Sequence, residues 1–220
     1  MLKAVILARS GSTRVKNKNI RPFCGSSLLE IKIQQLQRIN NIDGIIVNSN
    51  DDSILDIAKK YNVEAIKRDP YFASNSVSIN DVYVNMAENC NSDYIVMCNC
   101  TNPLISDTSI SNIIDFYFKN ENSYGSVNSA NMVKEFMWLD GNPINYTLDK
   151  MPRSQDLPNI LALNFAVNII SKERLLKEKN VVSSNPFLYE IPSDESVDVD
   201  WEVDFDFAEF LYNKKYNVRD

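Results

Sequence analysis

The sequence contains no histidine, only four cysteines and no long apolar run. Without histidine, His-based triads, His metal sites and His acid–base catalysis are excluded, so any chemistry must use carboxylates, lysine, arginine or a bound ion. The cysteines are Cys24, Cys90, Cys98 and Cys100, with no metal-ligand spacing beyond Cys98-x-Cys100. At 220 residues a disulfide framework is not expected. We therefore predict reduced, structural thiols, as in a cytosolic protein.

Membrane insertion and nucleic-acid binding are also disfavoured. No apolar run approaches the roughly 20 residues of a membrane-spanning helix, and Met1 and Lys3 lead into a short strand rather than a signal peptide. The net charge is −6, whereas duplex-binding proteins normally show a basic domain or stripe. We expect a cytoplasmic protein that binds neither membranes nor nucleic acid. With 44% hydrophobic residues, residues 1–220 are predicted to form one domain.

Positive charge is concentrated in one loop. The apolar run at residues 4–8 is typical of a buried parallel strand. The loop after it combines cations with a glycine and a small hydroxyl residue: Arg9, Gly11, Ser12, Arg14, Lys16 and Lys18. Backbone N–H groups and Arg forks in such a loop suit a polyphosphate. A nucleotide loop is one interpretation and a solvated basic turn is the alternative, since neither a P-loop motif nor a dinucleotide fingerprint is present.

Strand-like and helix-like segments alternate along the chain. Apolar runs at residues 44–47, 63–66, 94–97, 125–129 and 167–170 predict strands, and the segments 28–39, 53–61, 79–87 and 110–119 predict helices. The alternation predicts an α/β protein with a mostly parallel sheet. An Asp of the acidic turn Asp51-Asp52 is predicted to cap the helix at 53–61 rather than to act in catalysis. Asn99 follows the strand at 94–97, where an open α/β sheet binds its ligand.

Residues 197–201 alternate apolar and acidic side chains, which predicts a strand. In a strand, Asp198 and Asp200 would point to the same face. Two adjacent carboxylates repel, and they are tolerated when a divalent cation lies between them and a polyphosphate. The alternative is an acidic edge strand before the final helix. Asp204 is expected to be a helix cap rather than a ligand.

Residues 131–155 interrupt the alternation with a predicted hairpin arm. Asp140-Gly141 lies between two apolar or aromatic runs, residues 136–139 and 144–148, and this pattern is a strong hairpin signal. Phe136, Met137 and Trp138 on this arm would need cover, because protruding aromatic surface usually marks an interface.

The motifs at both ends resemble those of the CMP-sugar acid synthetases, the cytidylyltransferases that activate sialic acids and related ulosonic acids. The resemblance is carried by Ala8-Arg9-Ser10-Gly11-Ser12 with Lys18-Asn19-Ile20, and by Val197-Asp198-Val199-Asp200 before a helix with Ala208-Glu209. It implies a Rossmann-like, three-layer nucleotidyltransferase fold with a mostly parallel sheet. It also implies a homodimer formed through the protruding arm at residues 131–155.

The resemblance further implies an activity and its residues. The family transfers CMP from CTP to the anomeric hydroxyl of a 2-keto-3-deoxy sugar acid, releasing diphosphate, in surface glycan biosynthesis. By analogy, Arg9, Lys18 and Asp200 would be catalytic, and Asp198 and Asp200 would hold Mg²⁺. The expected CTP-binding residues are Ala8, Arg9, Gly11, Ser12, Lys18, Asn19, Arg68 and Ser78, with an ordinary helix cap as the alternative for Ser78. The expected residues for the acidic sugar are Asn99, Arg153, Gln155, Asn164 and Phe165, and Arg153 suits its carboxylate.

Several positions depart from the family pattern. Ser10 stands where members often have Gly, Asn99 replaces Gln, Cys100 replaces Pro, and Phe165 replaces Gly. The changes at Asn99 and Phe165 suggest an acceptor other than plain N-acetylneuraminate. An eight-carbon ulosonic acid, another acidic capsule precursor, or an inactive nucleotide-binding homologue are the alternatives.

Overall fold

The computed structural model of the chain describes residues 1–12, 14–74 and 76–216. The strands within these ranges are β1 (Leu2–Leu7), β2 (Pro22–Phe23), β3 (Ser26–Ser27), β4 (Gly44–Ser49), β5 (Glu64–Lys67), β6 (Tyr94–Cys98), β7 (Ser126–Val133), β8 (Trp138–Leu139), β9 (Asn142–Pro143), β10 (Ile160–Ser171) and β11 (Pro186–Glu190). The α-helices are α1 (Leu28–Gln37), α2 (Asp52–Lys60), α3 (Ile79–Glu88), α4 (Asp107–Asn120), α5 (Lys172–Glu178) and α6 (Glu202–Tyr216). Short 3₁₀ turns lie at Pro70–Ala73, Ser154–Asp156 and Ser193–Glu195.

A seven-stranded sheet forms the centre of the fold, with the order β11-β7-β10-β6-β1-β4-β5. β1 pairs in parallel with β4 and β6, β4 with β5, and β11 with β7. β10 is antiparallel to both of its neighbours, β6 and β7. The predicted α/β class with a mostly parallel sheet is confirmed.

Helices cover both faces of this sheet. Because side chains alternate along a strand, Ala4 and Ile6 of β1 enter one apolar cluster and Val5 enters the other. The first cluster includes residues of α1, α2, α4 and α6, and the second includes residues of α3 and α5. The predicted three-layer arrangement is therefore confirmed.

Short polar side chains fix where several helices begin. The side chains of Ser27, Asp51, Ser78 and Ser106 accept hydrogen bonds from backbone N–H groups in the first turns of α1, α2, α3 and α4. Each such cap contributes about 1 kcal/mol. The predicted aspartate cap is confirmed and is Asp51, and Ser78 has the capping contact that was its alternative interpretation.

The prediction that Asp198 and Asp200 share one face of a strand is wrong. Residues 196–200 form no strand in the described chain. The segment instead turns into α6, where the Asp204 carboxylate accepts hydrogen bonds from the backbone N–H groups of Asp200 at 3.0 Å and Trp201 at 2.7 Å. A carboxylate in the first turn that bonds backward in this way is a cap, as predicted for Asp204.

The arm keeps its predicted turn but has shorter strands. Asp140 and Gly141 both have positive φ, +50° and +79°, as a two-residue hairpin turn requires. The strands β8 and β9 have two residues each, and residues 144–148 are not the strand that the apolar run predicted. The buried Asn145 side chain holds the arm instead, by accepting from Met137 N at 2.9 Å and donating to the carbonyl of Glu135 at 2.8 Å.

The arm also begins later than predicted. β7 continues to Val133 within the sheet, so residues 131–133 belong to the sheet and not to the arm.

No helix in the described part of the chain has the length and apolarity of a transmembrane span.

Gly125 lies where a side chain would collide with its neighbours. A Cβ at this position would lie 2.6 Å from Ser183 Oγ and 2.9 Å from Arg174 Cδ. We expect Gly125→Ala to lower the free energy of unfolding by about 1–3 kcal/mol, because crowding a packed site forces side chains or backbone to shift. Urea unfolding followed by circular dichroism measures this change.

Gly44→Ala is the matched control for this prediction. A Cβ at Gly44 would meet only the flexible Lys3 side chain, at 3.6 Å or more. Its expected effect is within about 0.5 kcal/mol. Equal stability of the two variants would contradict the packing described at Gly125.

Candidate functional site

A cavity of about 260 Å³ lies at the carboxyl ends of β1 and β6. It is lined by Leu7, Arg9, Ser12, Arg14, Val15, Lys18, Asn19, Asn99, Cys100, Thr101 and Asp200. These residues come from the loop at residues 8–20, here called the basic loop, from the residues after β6, and from residues 197–200, here called the acidic segment. Open α/β sheets bind ligands at this edge.

Two cations join the basic loop to the acidic segment. Lys18 Nζ donates to the carbonyl of Val199 and lies 3.4 Å from Asp200 Oδ1. Arg14 donates to the same Asp200 oxygen at 2.9 Å, and its guanidinium lies 5.2 Å from the centre of the exposed Trp201 ring. Asp200 and Arg14 are about half exposed, and ion pairs of this kind contribute only about 0–1 kcal/mol. An anionic ligand can therefore displace the carboxylate at small cost.

The conformation of the basic loop is fixed by glycine and by contacts to neighbouring elements. Gly11 has φ +80°, a value that side chains disfavour. Ser10 and Asn50, which follows β4, bond to each other twice: Ser10 N donates to Asn50 Oδ1 at 3.2 Å and Asn50 Nδ2 donates to Ser10 Oγ at 2.8 Å. Arg9 donates to the carbonyl of Ala73 at 2.8 Å. The hydroxyl of Ser10 thus has a defined role in a position where family members often have Gly.

The two cysteines at the carboxyl end of β6, Cys98 and Cys100, are not nucleophiles. The Cys100 thiol donates to Asn19 Oδ1 at 3.2 Å. Burial raises the pKa of Cys98 and of Cys100 to about 11, because a thiolate would lose its hydration there. Both thiols are therefore protonated near neutral pH. The predicted structural role of the thiols agrees with the structure, in which Cys24, Cys90, Cys98 and Cys100 are all buried.

Asp198 has the environment of a carboxylate that a cation would stabilise. Although the Asp198 residue is exposed, desolvation by the surrounding protein raises the pKa of its carboxyl group. A hydrogen bond from Thr101 opposes this rise, and the charge of Asp200 adds to it. Within residues 1–12, 14–74 and 76–216, no three His, Cys, Asp or Glu side chains are grouped as a metal cage. Mg²⁺ needs no such cage, since it commonly binds one or two carboxylates together with substrate phosphates. Asp200 lines the cavity and Asp198 does not line it in the described chain, so a metal-binding role of the two carboxylates stays a prediction.

Three predicted nucleotide-binding residues have other contacts. Ala8 is fully buried at the start of the basic loop, and its N–H donates to the carbonyl of Asn48 at 3.2 Å. Arg68 is 4% exposed and donates to the side chain of Asn48 at 2.6 Å and to its carbonyl at 2.7 Å. Desolvation, with a smaller effect of Arg9, lowers the pKa of Arg68 to about 10. Ser78 donates to Asp81 at 2.8 Å as part of its cap. Contact of these residues with a nucleotide stays a prediction.

The predicted acceptor residues separate into two groups. Asn99 lines the cavity, and its N–H donates to the carbonyl of Ala166 at 3.3 Å, which places it beside a β-bulge in β10. In that bulge Asn164 Oδ1 accepts from Ser129 Oγ at 2.6 Å, and Phe165 has φ +55°. Phe165 packs against the apolar cluster on the α3 and α5 side. Asn164 and Phe165 do not line this cavity in the described chain, and their contact with an acceptor stays a prediction.

Arg153 and Gln155 form the second group. Both are exposed, Gln155 within the 3₁₀ turn at Ser154–Asp156 and Arg153 just before it. Arg153 forms a two-pronged ion pair with Asp156, with Nε 2.7 Å from Oδ2. Neither lines the cavity among the residues that the structure describes. Their contact with an acceptor stays a prediction.

Three polar residues at or beside the cavity were not among the individually expected binding residues, although Arg14 was one of the cations of the predicted nucleotide loop. Arg14 and Thr101 line the cavity, and Asn50 bonds to the basic loop. Arg14 lies in the same cationic loop as Arg9 and Lys18, and Thr101 lies two residues after Asn99. Proximity in sequence to expected binding residues could therefore have indicated both as cavity residues.

The cytidylyltransferase family model matches residues 3–161 of the chain. The acidic segment lies outside this range. The chain is also similar over most of its length to two curated proteins. It is 26% identical over 221 residues to the post-translational flagellin modification protein B of Campylobacter coli, with 96% of this chain and 94% of that protein covered. It is 24% identical over 219 residues to the pseudaminic acid cytidylyltransferase of Campylobacter jejuni, with 94% of each covered.

A solved structure of CMP:2-keto-3-deoxy-manno-octonic acid synthetase complexed with CTP has the same fold. It superposes with a TM-score of 0.73 at 12% identity and covers 97% of this chain and 99% of that one. The family match over more than half of the sequence, together with a cavity at the carboxyl edge of a parallel sheet, shows that the chain belongs to the cytidylyltransferase family.

Proposed function

We propose that this protein transfers CMP from CTP to the anomeric hydroxyl of a 2-keto-3-deoxy sugar acid of the sialic, legionaminic or pseudaminic type, in the cytoplasm, for surface glycan biosynthesis. The observation that carries the proposal is the convergence of Arg9, Lys18 and Asp200 on one cavity in a cytidylyltransferase fold. The curated relatives support the acceptor class, because one is named a pseudaminic acid cytidylyltransferase.

In this proposal the basic loop holds the triphosphate of CTP. Arg9 and Lys18 engage the phosphate oxygens, and Arg14 exchanges Asp200 for a phosphate. The nucleotide-contacting backbone is that of Gly11 and Ser12. Asp198 and Asp200 would hold Mg²⁺, which when bound neutralises charge on the phosphates.

The reaction needs positioning more than covalent catalysis. The anomeric oxygen forms a bond to the α-phosphorus while the bond from that phosphorus to the bridging oxygen breaks. Diphosphate leaves with the electron pair, and the hydroxyl proton passes to solvent. Lys18 stabilises the charge on the leaving diphosphate, as is usual in transfers at phosphorus.

The first test is a diphosphate-release assay with CTP and Mg²⁺ over a panel of acids. The panel contains N-acetylneuraminate, legionaminate, pseudaminate and an eight-carbon ulosonate. We expect release with at least one nine-carbon acid and with CTP in preference to UTP, ATP and GTP. Release only with the eight-carbon ulosonate would make that acid the acceptor instead of the nine-carbon acids. No release with any acid would contradict the proposed activity.

The second test concerns the two aspartates. We expect Asp198→Asn and Asp200→Asn each to lower kcat by about 10²–10³-fold, as losses of electrostatic stabilisers do. Steady-state kinetics measures the loss, and circular dichroism checks the fold. The control is Asp206→Asn, which removes the same charge from an exposed position of α6 and should leave kcat unchanged. Near-normal activity of both site variants would contradict the metal assignment.

The third test concerns a homodimer formed through the arm. Leu139 is 62% and Ile144 54% exposed, and such apolar surface favours an interface with a second copy. We expect the wild type to sediment at twice its mass of 25.1 kDa at micromolar concentration. Leu139→Ser combined with Ile144→Ser should give monomers. Ile79→Ser, exposed at the start of α3, should leave the dimer intact, and a monomeric wild type would overturn the proposal.

A further inference from the structure

The acidic segment is held in place by polar contacts rather than by a sheet. Val199 N donates to the carbonyl of Thr101 at 2.9 Å, and Asn102 Nδ2 donates to the carbonyl of Val197 at 3.3 Å. Both partners belong to the residues that follow β6. The position of the two aspartates therefore depends on the shape of that loop.

Asn102 connects the acidic segment to the interior. Its side chain is fully buried, and no donor in the described part of the chain reaches its Oδ1. Its backbone carbonyl accepts a hydrogen bond from Lys32 Nζ at 3.1 Å. A buried amide with one unsatisfied oxygen is costly, and the hydrogen bond that its Nδ2 donates to the carbonyl of Val197 offsets part of this cost.

Lys32 fixes the other side of Asn102. It lies on α1, is 0% exposed, and donates also to Gln35 Oε1 at 2.7 Å. Gln35 in turn donates to the carbonyl of Ile105 at 2.6 Å and to Asp107 Oδ1 at 3.0 Å. The helix thus holds the loop after β6 at Asn102, Ile105 and Asp107.

The charge of Lys32 has no carboxylate partner within hydrogen-bond distance in the described chain. Burial lowers the pKa of Lys32 to about 8, since the ammonium group loses its hydration. A Met side chain of similar length would avoid this cost. The buried ammonium group of Lys32 is therefore better explained by the residues that it positions than by a contribution to the stability of the fold.

We propose that Lys32 and Asn102 are positioning residues that set Asp198 and Asp200 against the nucleotide cavity. Neither lines the cavity among the described residues, so they act through the loop after β6 and the acidic segment. The inference rests on the proposed function, because it assigns the two aspartates a role in that reaction.

The test compares Lys32→Met and Asn102→Ala with Lys172→Met. Lys172 donates to the carbonyl of Cys90 at 2.7 Å, and it belongs to α5, which packs on the opposite face of the sheet from α1. The control variant therefore also removes a lysine ammonium group that donates to a backbone carbonyl. We expect kcat to fall about 10–100-fold in both site variants, because small misplacement of reacting groups has effects of this size. KM for CTP should change less than threefold, since the basic loop is intact.

The double variant Lys32→Met/Asn102→Ala should lose no more activity than the more affected single variant, because both changes interrupt one chain of contacts. Additive losses would overturn the proposal. Equal kcat in Lys32→Met and wild type would also overturn it while leaving the proposed function intact.

Hydrogen exchange gives a readout that does not depend on activity. The amides of residues 197–201 should exchange at least tenfold faster in both site variants and at the wild-type rate in Lys172→Met. An inactive wild-type protein would contradict the proposed function. Hydrogen exchange would still decide whether Lys32 and Asn102 hold the acidic segment in place. Unchanged exchange, or global unfolding of both variants, would overturn the positioning role.

Discussion

The contact of Lys18 with Val199 and Asp200 is the interaction on which the site depends. It joins two parts of the chain that are about 180 residues apart in sequence. In a protein with a net charge of −6, the cations of the basic loop are attracted to its own carboxylates when no polyphosphate is bound. Asp200 thus pairs with the two cations, Arg14 and Lys18, that the proposed function assigns to the triphosphate. If that proposal holds, nucleotide binding is an exchange of one anion for another at these two side chains.

The two sides of the cavity are built by different physical means. The basic loop follows β1, which pairs with strands on both sides and is buried among apolar residues. The acidic segment has no strand pairing in the described chain, and a few hydrogen bonds to Thr101, Asn102 and Asp204 hold it. One side of the cavity thus follows a buried, paired strand, and the other is held by polar contacts. In the proposed reaction, these contacts would set the positions of the carboxylates relative to the phosphates.

The sequence was sufficient to predict most of the alternating elements, because apolar periodicity reflects burial directly, but it did not predict α5 or β11. It also placed Arg9, Lys18 and Asn99 near one sheet edge. It failed at the acidic segment because alternation at 197–201 is a local property, whereas a strand needs a partner edge with free N–H and C=O groups. It missed the full length of β10, in which the buried polar residues Asn164 and Asn168 hide the strand pattern. Their partners come from distant parts of the sequence, which a single sequence does not reveal.

The bulge in β10 explains why a family position that is often Gly tolerates Phe165. A left-handed backbone costs about 1–2 kcal/mol for a residue with a Cβ. The carbonyl of Phe165 accepts from Asn168 Nδ2 at 3.2 Å, and Asn164 Oδ1 accepts from Ala166 N at 3.2 Å, so side chains on both sides stabilise the turn. The ring is partly buried against apolar core residues, which offsets the strain further. Because Ala166 bonds to Asn99, the bulge fixes the position of a cavity residue. Phe165 therefore belongs to a bulge whose next residue, Ala166, accepts a hydrogen bond from the backbone of Asn99, while Phe165 itself does not line the cavity in the described chain.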